Sequence, residues 1–127
     1  MTKLILDLDT GVDDALAIAY ALGSPEVELI GITGTYGNVL LDQGVRNALA
    51  ITDLLGHPEV GVYKGLPHSS TTDSFEVLEI SKFIHGANGI GDVSIPDSNR
   101  EPQSEPAVDF IIDAAKTYGK ELVYVPT

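Results

Sequence analysis

Cysteine and tryptophan are absent from the 127 residues, and Met1 is the only methionine. Without thiols there is no disulfide framework, no thiolate nucleophile and no soft sulfur ligand for a metal. Positive charge is scarce as well: 7 lysines and arginines stand against 19 aspartates and glutamates, a formal net charge of −12. So acidic a surface repels phosphate backbones and anionic headgroups, which argues against nucleic acid or membrane as a partner. No apolar run approaches the ~20 residues that a bilayer-spanning helix needs. The N-terminus shows no charged segment followed by an apolar stretch, so the expected setting is cytoplasmic. With 43% hydrophobic residues the chain can bury one modest core, and residues 1–127 are expected to form a single α/β domain.

What the chain does have is carboxylate in one place. Asp7-Leu8-Asp9-Thr10-Gly11-Val12-Asp13-Asp14 lies between the apolar runs Leu4-Ile5-Leu6 and Ala15-Leu16-Ala17-Ile18-Ala19-Tyr20-Ala21-Leu22. That pattern predicts strand, tight turn, helix. Alternation along the strand points Asp7 and Asp9 to the same side of its end, and Gly11 gives the turn its freedom. Asp13 and Asp14 fall in the first helical turn, where free N–H groups and the helix dipole favour negative charge. Helix charge explains that second pair but not an Asp-x-Asp closing an apolar strand. Four carboxylates converging on one volume cannot all stay ionised uncompensated. Either one carboxyl titrates high or a cation sits among them. Oxygen ligands with no cysteine and no neighbouring histidine suit a hard cation, calcium or magnesium. An EF-hand loop is excluded, because Val12 and Ile18 stand where its sixth-position glycine and twelfth-position glutamate belong.

Along the rest of the chain strand and helix patterns alternate. Strands are predicted over residues 3–8, 28–35, 60–63 and 121–125, and helices over 12–22, 41–55 and 106–118, with one amphipathic segment near 75–84. Apolar strands separated by helices predict a doubly wound, mostly parallel sheet with helices on both faces. Ligands in such sheets collect at the carboxyl ends of the strands. The first strand delivers its aspartates there and the second delivers Gly34-Thr35-Tyr36-Gly37-Asn38. Asn38 also suits a plain turn position after Gly37. Further on, His85-Gly86-Ala87-Asn88-Gly89-Ile90-Gly91-Asp92 is too glycine-rich for a helix and reads as a surface loop of the kind that forms lids. His57 and His68, each beside a proline, are assigned no role.

Asp7-x-Asp9-x-Gly11-x-Asp13-Asp14-Ala15 strongly resembles the N-terminal signature of the inosine-uridine-preferring nucleoside hydrolases, which cleave the N-glycosidic bond of ribonucleosides with a bound calcium ion. Further segments extend the match. Gly34 to Asn38 resembles the family segment whose asparagine enters the nucleoside pocket. His85 to Gly91 resembles a His-Gly-x-Asp-Gly-Leu-Gly loop at the active site, with Asn88 in place of the acid and Ile90 in place of the leucine. Val125-Pro126-Thr127 resembles the start of a segment whose threonine gives its backbone carbonyl to calcium. The resemblance implies that Asp9 is both calcium ligand and base, that Asp14 and Thr127 are further ligands, and that Asp7 supports the cluster from behind. Asp13 would accept a hydrogen bond from a ribose hydroxyl, Asn38 would lie near the glycosidic nitrogen or the water, and His85 would approach the leaving base. A ribonucleoside substrate and a role in nucleoside salvage follow.

The match covers nearly all of this chain but only the N-terminal part of the family fold. The remainder would carry another carboxylate ligand, the groups that grip the ribose and a histidine general acid. An open strand edge after Val125 is expected to drive self-association, so a homo-oligomer is the expected assembly. Two rival readings stay open on the sequence. Asp7-Leu8-Asp9-Thr10 also resembles the nucleophile motif of haloacid-dehalogenase-type phosphatases, with Asp7 attacking and magnesium bound. Alternatively the chain binds calcium and turns nothing over.

Overall fold

The computed structural model describes residues 1–127. Its elements follow the alternation of apolar runs and turn residues: β1 (Thr2–Leu8), α1 (Val12–Gly23), β2 (Val27–Gly34), α2 (Leu41–Leu54), β3 (Gly61–Lys64), α3 (Glu79–His85), α4 (Ala107–Tyr118) and β4 (Leu122–Pro126). The third helix is shorter than its amphipathic pattern suggests. Phe75 packs its ring against Tyr36, with centroids 4.6 Å apart, and the helix begins only at Glu79.

All strand pairs are parallel, in the order β3-β2-β1-β4. The chain steps outward from β1 to β3 and then returns to the other side of β1. That return brings helices to both faces, as neighbouring residues of β2 record. Ile32 is buried in one apolar cluster with Ile18 of α1, Ala48 and Leu49 of α2, and Val62 of β3. Gly31, one residue earlier and so on the opposite face, lies against Phe110 of α4, whose ring stacks on Tyr63 at 3.8 Å. The sheet is therefore doubly wound, and its topological switch point falls between β1 and β4, where a crevice opens at the strand ends. The outer edge of β4 is unpaired, with Val123 and Tyr124 both exposed there.

One irregularity sets what stands at that crevice. The β1–β2 register shifts between Leu4 and Ile5, so that Ile30 of β2 has no partner and Asp7 lies opposite Thr33. A continuous register would have put Asp7 beside the buried Ile32, since a one-residue slip exchanges the faces of a strand.

At the end of β2, Gly34 lies against α2: a Cβ there would be 2.7 Å from Val45 Cγ2. Val45 is buried, and a branched side chain in a helix strongly prefers one rotamer, so it gives way at a cost. Gly34→Ala is expected to lower stability by about 1–3 kcal/mol, read as a fall in denaturation midpoint. Adding Val45→Ala should make the pair less destabilising than the two single losses summed. Strict additivity would show that this contact does not limit the packing.

Candidate active site

Asp9 stands one residue beyond β1, and its Oδ2 accepts a hydrogen bond of 2.7 Å from the backbone N–H of Asn38. The loop after β2 comes so close that a Cβ on Gly37 would collide with the Asp9 carboxylate, which explains the glycine. Asp14 sits in the first turn of α1 and is 3% exposed. Its Oδ2 accepts from the Gly11 backbone N–H at 3.0 Å, tying the helix start to itself. Its Oδ1 accepts from the Thr127 hydroxyl at 3.3 Å. Burial, with the neighbouring charges of Asp13 and Asp9, pushes the Asp14 carboxyl up to about 6 against the pull of the Gly11 N–H. No lysine or arginine pairs with any carboxylate of the 7–14 segment. The one nearby basic group is His85, whose Nδ1 lies 3.9 Å from Asp13 Oδ1.

Asp7 has a different environment from the other three. Its Oδ1 accepts from Thr33 Oγ1 at 2.8 Å and its Oδ2 from the Tyr124 hydroxyl at 2.9 Å, one partner on each flanking strand. Burial and the adjacent carboxylate push the Tyr124 hydroxyl up to about 12, so it remains a proton donor. The Asp7 backbone carbonyl accepts from both the N–H and the hydroxyl of Thr127, at 3.1 and 3.2 Å. Asp7 thus fastens β2, β1 and β4 together just below the site.

His85 ends α3, and its ring crosses to α1, where Nδ1 accepts the Val12 backbone N–H at 3.1 Å. An accepting Nδ1 assigns the hydrogen of the neutral ring to Nε2. The loop that follows is closed on itself: Asn88 Oδ1 accepts from the N–H groups of Ile90 and Asp92, and its Nδ2 donates to the Val93 carbonyl. An aspartate at that position could accept but not donate to Val93.

The expectation that four carboxylates converge is corrected. Asp9 and Asp14 come together side chain to side chain, but Asp7 is drawn into the sheet by Thr33 and Tyr124, and Asp13 faces outward with its side chain 76% exposed. No three acidic or histidine side chains gather as a metal cluster. A paired Asp9 and Asp14, one of them buried, is still an oxygen donor set without a cationic partner, and it fits a hard cation. Thr127 adjoins the pair through its hydroxyl, Asn38 reaches Asp9 through its backbone, and the Asn38 side chain lies near Gly11. The phosphatase reading requires a free Asp7 nucleophile, and both Asp7 oxygens are engaged.

Three residues of the site carry no motif. Thr33 and Tyr124 look like ordinary strand residues. Asn47 left a faint signal, an amide among the apolar positions Val45, Ala48 and Leu49 of an amphipathic helix.

Fold and site together define an α/β protein with a paired-carboxylate site at the switch point of a parallel sheet. Residues 4–127 match the sequence profile of the inosine-uridine preferring nucleoside hydrolases, and the chain belongs to that family. A solved structure of a purine-preferring ribonucleoside hydrolase from Gardnerella vaginalis superposes with a TM-score of 0.98 at 81% identity, over 99% of this chain and 40% of that one. Uridine nucleosidase 1 of Arabidopsis thaliana is 38% identical over 94% of this chain and 35% of its own length. An inosine-uridine preferring nucleoside hydrolase of Leishmania major is 37% identical over 98% of this chain and 39% of its own. The chain spans less than half the length of these three relatives.

Because the Asp14 carboxyl is raised from 3.8 to about 6, the folded chain holds a proton that the unfolded chain releases between those values. Metal-free stability therefore falls as pH rises from 3.8 to about 6 and stays reduced above it. Asp14→Asn should raise the melting temperature at pH 8 and leave it nearly unchanged at pH 4. An equal shift at both pH values would show that charge burial is not the cause.

Proposed function

We propose that this chain carries the water-activating side of a calcium-dependent N-ribohydrolase, which splits ribonucleosides, purine ribonucleosides first, into ribose and free base. The observation that carries this reading is the Asp9–Asp14 pair, partly buried and without a cationic partner, at the switch point. Preference for purines is supported by the 81% identity to the purine-preferring ribonucleoside hydrolase of Gardnerella vaginalis.

Breaking an N-glycosidic bond builds positive charge on the ribosyl ring, as in oxocarbenium-like glycosidase transition states. Carboxylates already fixed in place stabilise that charge without reorganising. When bound, calcium supplies Lewis acidity that makes a water easier to deprotonate, and a template for the ribose hydroxyls. Asp9, Asp14 and the Thr127 carbonyl would hold it. Water, substrate and further ligands would complete its oxygen shell. Asp9 is held by the Asn38 N–H and would take the water's proton. Asp13, exposed at the helix start, is free to accept from a ribose hydroxyl. As the C–N bond breaks, its electron pair passes to the base nitrogen. His85 can serve the departing base through Nε2–H alone, since Nδ1 is committed to Val12.

A cytoplasmic setting and a homo-oligomer belong to the same reading. Assembly is supported by the exposed Leu16 and Tyr20 of α1.

Ribose release from inosine, guanosine and uridine tests the reading. Release is expected to need calcium, to stop with chelator, to favour the purines, and to fall by about 100-fold or more in Asp9→Ala. Undiminished release by Asp9→Ala would remove Asp9 as the base, and indifference to chelator would remove the metal.

A further inference from the structure

Asn47 lies in the middle of α2, away from both loops that carry the site, yet its amide is committed to both. It is 3% exposed. Its Nδ2 donates to the carbonyl of Thr10, the residue after Asp9, at 3.2 Å, and to the carbonyl of Asn88, three residues after His85, at 2.7 Å. Its Oδ1 accepts from Gln43 Nε2 at 2.9 Å, so the amide cannot flip without losing every partner. Gly89 closes the same junction. It has φ +82, and a Cβ there would stand 3.0 Å from Asn47 Nδ2, 3.0 Å from the Thr10 carbonyl oxygen and 2.6 Å from Val39 Cγ1.

The chemistry of this junction is specific. Two backbone carbonyls from separate loops converge, and their oxygens repel unless a donor stands between them. One NH2 group offers a hydrogen to each. Leucine would leave both acceptors buried and unpaired, and aspartate would add a third set of oxygens. The two loops then meet again at the front, where the His85 ring takes the Val12 N–H. The aspartate turn and the His85 loop are thus pinned to each other at two points, with Asn47 as the rear one.

We propose that Asn47 is a positioning residue: it holds the Asp9–Asp14 turn and the His85 loop in register, so that the water-activating carboxylate and the Nε2–H of His85 face one substrate from fixed places. The reaction it serves is the ribonucleoside hydrolysis argued above. The hold itself is a property of this chain whatever the reaction.

The test uses the whole chain and three variants: Asn47→Leu, Asn47→Asp, and Ile51→Val as a control that destabilises α2 from the core side. Hydrogen exchange should quicken about tenfold or more in residues 9–12 and 86–92 together for both Asn47 variants. In Ile51→Val the same amides should keep their protection. Calcium affinity by calorimetry, and kcat for ribose release, should each fall about 10- to 100-fold in Asn47→Leu, with KM moved far less. Asn47→Leu combined with His85→Ala should lose little more than the worse single variant, because both act through one loop. Unchanged exchange, loosening of only one loop, or additive losses with His85→Ala would overturn the proposal. A wild-type chain that releases no ribose would instead overturn the assigned reaction, and the exchange pattern would still decide whether Asn47 holds the loops.

Discussion

Placing a buried carboxylate beside a second one is the constraint on which the rest of this structure depends. Asp14 is buried, and its neighbours Asp9 and Asp13 make its ionised form harder still to keep. A fold tolerates such a group only by surrounding it with donors. The Gly11 N–H and the Thr127 hydroxyl each give Asp14 one hydrogen, and the Asn38 N–H does the same for Asp9. These donors come from the turn after β1, the end of β4 and the loop after β2. Ordering three segments of chain is therefore the structural consequence of burying one charge.

That demand reaches back into the sheet. The shift of register at Ile30 brings Thr33 opposite Asp7, and Tyr124 meets the same carboxylate from β4. Asp7 consequently works as a strut: its two oxygens and its carbonyl bind the three strands whose ends form the crevice. Had Asp7 joined the other carboxylates, the repulsion to be offset would have grown and the strand ends would have lost their tie. Asp7 and Asp9, two residues apart in one motif, are thus separated: the first is bonded to the flanking strands and the second to the loop after β2.

Much of this was legible in the sequence because the signals are local. Apolar runs of strand length, Gly23-Ser24-Pro25 at the end of α1 and Gly56-His57-Pro58 after α2 place the elements to within a few residues. The Asp-x-Asp-x-Gly-x-Asp-Asp pattern marks the candidate site and contains Asp9 and Asp14, the pair that the structure brings together. The parts that were not legible depend on pairing between distant segments. Nothing in Leu29-Ile30-Gly31-Ile32 announces which residue drops out of register, so Thr33 as the partner of Asp7 could not be read. Asp7 and Asp9 share a parity in the strand, yet β1 ends at Leu8, and parity says nothing past that point. Asn47 shows only as a polar residue on an apolar helix face, and its meaning depends on two loops 37 and 41 residues away.

Asn38, His85 and Asn88 show a further limit, since each motif residue acts partly through atoms that its type does not advertise. Asn38 serves Asp9 by its backbone N–H, which any residue except proline would supply. His85 spends one ring nitrogen as a hydrogen-bond acceptor at the start of α1, a helix whose Gly11 offers no capping side chain. Asn88, standing where the family pattern has an acid, closes its loop with a donor that an acid lacks. In this structure Asn38 gives Asp9 a main-chain N–H, His85 gives α1 a ring nitrogen that ties two helices together, and Asn88 gives its loop a tie to Val93.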